Sequence, residues 1–205
     1  MIRLLWFVTI VCCFPQMSQK PADSPVTSTP FYKAYLDVEL VAEAAQTHEL
    51  SPRMLTFLLR RRHDLDQKLA LLNALGWEEN AMDNRVKLEQ AIMEKRKISV
   101  LSGDSKMRAH DQLLIGYMML LENYGAPQLA VAWIEKGVAR LSNRLSAHTI
   151  LALCKAQISF SHSWCEVWKH YETVMSHTEY KHDLRAEAGS IIFDYLVLYR
   201  DSCTS

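Results

Sequence analysis

From Phe31 onward the apolar residues recur at spacings of three and four, the period of an α-helix with one buried stripe. Leu65, Leu69, Leu72 and Leu75 form one such stripe, and Val86, Leu88, Ala91 and Ile92 another. No stretch sustains the alternation of a β-strand. The helix signals divide the chain further. Pro30 opens a helix over 31–47, and Ser51 with Pro52 caps a segment from Met54 to Arg62. Asp64 and Gln67 form a capping-box pattern, and Gly76 is a left-handed stop with Trp77 folding back on the last turn. The spacing predicts further helices over 81–98, Met107 to Leu121 (stopped by Gly125) and Pro127 to Leu141. The last three are predicted over 146–158, 163–175 and 182–200, and 99–105 reads as a loop. The fold class is therefore all-α, about nine short helices that bury their stripes only by stacking on one another.

The first thirty residues break this pattern. Met1 to Arg3 is short and basic, and Leu4 to Phe14 is an apolar run, short for a bilayer span and typical of an export signal. Residues 1–14 are thus expected to be a signal peptide or a retained anchor. Cleavage fits after Cys13 or after Ser18, and lipidation at Cys12 or Cys13 is an alternative. Four of the six prolines lie from Pro15 to Pro30 among serines and threonines, which predicts an extended linker that does not pack. The helical domain is then 31–205.

Composition narrows the function classes. The 205 residues carry 23 basic and 23 acidic side chains, so the formal net charge is zero. Non-specific nucleic-acid binding needs a basic surface, and none is expected here. Six glycines spread thinly leave no glycine-rich phosphate loop.

Leu114, Tyr117, Met118, Leu121, Gly125, Ala130, Ile134 and Gly137 follow one another at telling offsets. This run resembles a tetratricopeptide repeat, whose paired helices meet through large residues, a turn glycine and small residues. Ala130 and Trp133 recur as Cys165 and Trp168, one repeat later, so the likeness extends over about residues 114–175. The second copy departs from the pattern, with Ser159 at the turn glycine and Glu172 at a small position. The resemblance implies a right-handed helix-pair stack that presents a concave surface to a protein or peptide, the alternative being an irregular right-handed superhelical domain. By position in the pattern it puts Tyr117, Asn123 and His148 on that partner surface.

Side-chain chemistry adds less. Cys154 and Cys165 flank a turn at about equal distances, so a disulfide between them is expected in an oxidising compartment; the alternative is two buried thiols. Arg60, Arg61 and Arg62 form an anionic-ligand patch or simply complement a helix C-terminus. Five histidines crowd the last third, Glu166 and His170 on one helical face, yet H-E-x-x-H and C-x-x-C are both missing. No catalytic, cofactor-binding or metal-binding residue is assigned, and no cofactor is expected.

The reading is an exported α-helical scaffold, a protein-interaction module of the cell envelope. Its partner would be another protein or peptide. Membrane contact would come only through the N-terminal segment. The alternative is a small exported helical hydrolase acting on envelope glycans. A carboxylate buried in an aromatic-lined cleft would favour the enzyme. A groove without a titratable cluster would favour the scaffold.

Overall fold

A computed structural model describes residues 23–76, 80–101 and 106–204. The export segment, most of the linker, Trp77 and much of the 99–105 loop lie outside the described residues. The described chain is all-α. It contains nine α-helices: α1 (Glu39–Thr47), α2 (Pro52–Leu59), α3 (Leu65–Leu75), α4 (Ala81–Arg96), α5 (Ala109–Glu122), α6 (Gln128–Ala139), α7 (Leu145–Ser159), α8 (Trp164–Ser176) and α9 (Ala186–Leu196). Two 3-10 segments, Phe31–Tyr35 and Val197–Cys203, flank them. Among the described residues there is no β-strand, only an isolated bridge between Arg144 and Lys181.

One contiguous core runs from Val26 to Leu196. From α4 to α8 each helix packs against the next, α5 against α6 most extensively, while α3 lies under α1 and α5. Glycine makes the α5–α6 approach close. A Cβ on Gly116 would stand 2.7 Å from Ile134, and one on Gly137 would stand 2.8 Å from the backbone nitrogen of Leu113. The backbones can therefore meet without intervening side chains. Gly76 ends α3 at φ 74°, where a side chain would be strained.

Buried polar side chains tie the helices where hydrophobic contact sets no register. Asn84 is fully buried; its amide donates to the His48 carbonyl (2.9 Å), and its oxygen accepts from the Leu50 N–H (2.8 Å). Arg96 grips Asp111 with two bonds of 2.6 and 2.7 Å, and the Arg108 N–H also donates to Asp111 (2.9 Å). Both side chains of that ion pair are buried, so the pairing offsets a large desolvation cost.

Three expectations are corrected by the chain's path. The helix expected over 31–47 is two elements, because Val38 turns to an extended conformation and starts α1 anew. The helix expected over 182–200 begins only at Ala186 and tightens to a 3-10 turn after Leu196. Residues 181–183 are drawn away by Asp183, which accepts from the Ser146 N–H and hydroxyl at 2.9 Å each. The described part of the linker, 23–30, packs. Ser24, Val26, Thr27 and Thr29 are buried, and the Val26 N–H donates to Gln157 on α7. Serine and threonine here serve a tight turn, with Ser24 bonded to Thr27 and Thr29 bonded to the Pro25 carbonyl. The Asp64 side chain makes no capping bond to α3, although α3 starts where the capping pattern placed it.

A candidate binding cleft beside the C-terminal disulfide

The N-terminal turn, the α5–α6 corner and the α7–α8 corner surround an open cavity of about 720 Å³. Tyr124 and Gln128 come from the first corner, Gln157, Phe160 and Trp164 from the second, and Asp23 from the turn. Local sequence explains each placement. Ser163 caps α8 through its hydroxyl, which accepts from the Glu166 N–H. The Ser159 carbonyl accepts from the N–H groups of His162 and Ser163 and closes the α7–α8 turn. Trp164 thereby lands in the first turn of α8, off the buried stripe of Val167, Trp168, Tyr171 and Val174, and is 60 % exposed.

The C-terminal segment supports this wall. Tyr199 meets Phe160 and Trp164 edge-on, with ring centroids 5.9 and 6.4 Å away. Its hydroxyl lies 2.8 Å from that of Tyr195. Burial, then the Tyr199 hydroxyl, raises the ionisation of Tyr195 far above the usual phenol range, and the nearby Asp23 carboxylate pushes the same way. Asp23 also accepts a hydrogen bond from the Ser28 hydroxyl.

A disulfide joins Cys165 to Cys203, with α-carbons 4.6 Å apart. The expected partner of Cys165, Cys154, is instead a free thiol buried in α7, and burial pushes its ionisation up to about 12. Equal spacing from the turn brings the two helices together without aiming the thiols at each other. Cys154 points into the core, whereas Cys165 is partly exposed on α8, where the tail passes.

The other sequence candidates scatter. Tyr117 is a core residue, 1 % exposed and hydrogen-bonded to Asn73, so it cannot serve a partner surface. The large residue of a helix pair faces its neighbour, and here α3 lies behind it. Asn123 is exposed at the end of α5, one residue before Tyr124 of the cleft. His148 is half-buried at the start of α7, stacked on Tyr180 at 4.2 Å, and Tyr180 in turn stacks on His177. Arg60, Arg61 and Arg62 are exposed beyond α2, and the Arg60 carbonyl takes a bond from buried Lys68.

Among the described residues, Asp23 is the one carboxylate lining this cleft, and it is exposed, whereas glycoside hydrolysis uses a pair. The Ser159 hydroxyl does lie 3.0 Å from His170 Nε2, with burial holding His170 below the usual imidazole range. Yet Ser159 ends α7, where carbonyl oxygens converge and an oxyanion would be repelled. The nearby Glu166 carboxylate is paired with Lys169. No group of three metal-ligating side chains occurs among the described residues.

The cleft residues were poorly marked in the sequence. Trp164 and Phe160 look like core at helical spacing; the available signal was that Trp164 directly follows a cap and falls outside its helix's stripe. Comparison with protein-family models, curated proteins and solved structures finds nothing that matches this chain.

Proposed function

We propose that this chain is an exported α-helical scaffold that works at the cell envelope by holding another protein in the cleft. The observation that carries the reading is a concave, aromatic-lined groove with one exposed carboxylate and no acid–base pair in its lining. Exposed Trp164 and Leu129, the latter adjacent in sequence to cleft-lining Gln128, supply apolar anchors of the kind that dominate protein interfaces. The Cys165–Cys203 disulfide supports export, since such bonds persist in oxidising compartments. The helix-pair likeness over 114–175 is consistent with a scaffold role.

Photocrosslinking tests it. A benzophenone amino acid at position 161, beside the cleft, should join the chain to one partner protein in intact cells. The same probe at Met82, exposed on α4, should not. Equal crosslinking at both positions, or none at 161 together with measurable glycan cleavage, would remove the scaffold reading.

A further inference from the structure

We infer that the cleft recognises a cationic side chain, a lysine or arginine presented by the partner protein; this rests on the scaffold reading above. The argument is one of charge and ring chemistry. Tyr124, Phe160 and Trp164 line the cavity, and Tyr199 backs the latter two. Aromatic faces carry partial negative charge and attract cations. Asp23 brings a carboxylate to the same lining, close enough to influence the hydroxyls of Tyr195 and Tyr199. Among the described residues that line the cleft none is lysine, arginine or histidine, and the hydrogen bond that Asp23 accepts there comes from the neutral Ser28 hydroxyl.

Gln157 does not serve a cation, because its amide oxygen is taken by the Val26 N–H and its NH2 is a donor. Gln128 and Ser161 bring uncharged acceptors to the rim. A strand-like peptide would find no sheet edge to extend, because the described lining consists of turns and helix ends and holds no β-strand. Recognition therefore falls to side chains, and the strongest complementarity available is between a cation and three lining aromatic residues with one acid. A saccharide could use the rings and amides, but it would gain little from the charge.

The test uses the disulfide-bonded chain labelled with 5-fluorotryptophan and observed by fluorine NMR, with the Trp164 resonance assigned by its loss in Trp164→Phe. The probes are N-acetyl-lysine methylamide and its neutral isostere N-acetyl-norleucine methylamide. The lysine amide should shift the Trp164 signal saturably at a concentration at least tenfold below the norleucine amide. Asp23→Asn should weaken the lysine amide at least threefold, and 0.5 M salt should weaken it further. Ser161→Lys, which adds a competing cation at the rim, should abolish the lysine shift while leaving norleucine unaffected, even if Asp23→Asn perturbs the turn. Equal binding of the two probes would overturn the inference while the scaffold reading stands. So would a shift by chitotriose with none by the lysine amide. No shift by any probe would also overturn it, while the scaffold reading stands or falls separately, on the crosslinking at position 161 and Met82.

Discussion

The Asn73 amide donates to the Tyr117 hydroxyl at 3.0 Å in the centre of the core, linking α3 to α5. The Asn73 oxygen accepts at the same time from the Tyr32 N–H of the first 3-10 segment. Burial raises the Tyr117 phenol well above its usual range, so it stays neutral at all physiological pH. Tyr117→Phe leaves the ring in place but orphans one buried amide hydrogen. A loss of about 1–3 kcal/mol is expected in urea denaturation. A change below the error of the measurement would mean that the amide finds another partner.

The C-terminal 3-10 segment contributes no buried residue of its own, so the disulfide to Cys165 is its firmest attachment. The bond closes a loop with a sequence separation of 38 residues. Cys203→Ser should lower stability by about 2–4 kcal/mol and raise amide exchange over 197–204. Cys154 itself should resist thiol alkylation in the folded protein, because it is buried in α7.

These two sites show what could be read from residue order and what could not. Helix period, proline starts and glycine stops are local, so the boundaries of α2 to α8 were legible within a few residues. Helix period placed Tyr117 and Gly137 on α5 and α6, but neither it nor the likeness to helix pairs could say which faces are covered, since that depends on α3 packing behind α5. Pairing of Cys165 with Cys203 depends on where the tail returns, a consequence of the break at Asp183 rather than of any local spacing. The cleft was least legible. Asp23 lies in a segment whose composition signals a free linker, and it joins Trp164 only because Val26 docks on α7.

The Arg96–Asp111 pair offers a sharper contrast than a surface bridge. Asp111→Ala strands a buried guanidinium and should cost about 3–5 kcal/mol by chemical denaturation. The double change Arg96→Met with Asp111→Leu removes both charges and should recover most of that loss. Similar costs for the single and double variants would show that the pair is needed for shape and not for charge compensation.

Acid should weaken the fold through His110. Burial first, then Lys68 and Arg144, lowers its ionisation from 6.5 to about 4. Between pH 6.5 and 4 the unfolded chain binds a proton at this ring that the folded chain does not. Stability is therefore unaffected by His110 above 6.5 and falls as pH drops through that window. Asp66 acts oppositely. Burial raises its carboxyl, so the folded chain keeps that proton to higher pH and regains stability on acidification. His110→Gln should flatten the slope measured by urea denaturation at pH 7.5, 5.5 and 4.5, by on the order of 1–2 kcal/mol. An unchanged slope would place the acid sensitivity elsewhere.

Two glycines in helices should respond in opposite directions to the same substitution. Alanine normally stabilises a helix interior by about 1 kcal/mol over glycine. At Gly189 on α9 nothing lies within 4 Å of an added Cβ, so Gly189→Ala should show that gain. At Gly137 on α6 the added methyl would lie 2.8 and 2.9 Å from the Leu113 nitrogen and Cβ, and 3.0 Å from the Ala109 carbonyl. Two of these atoms are backbone and cannot rotate away, so α5 and α6 must separate. The packing cost, about 1–3 kcal/mol or more, exceeds the propensity gain, and Gly137→Ala should lower the thermal midpoint while Gly189→Ala raises it. The separation would also widen the α5–α6 corner that holds Tyr124 and Gln128, so the Trp164 fluorine signal should lose its response to the lysine amide in Gly137→Ala and keep it in Gly189→Ala. Stabilisation by both substitutions would mean that α5 and α6 do not meet through Gly137 in solution.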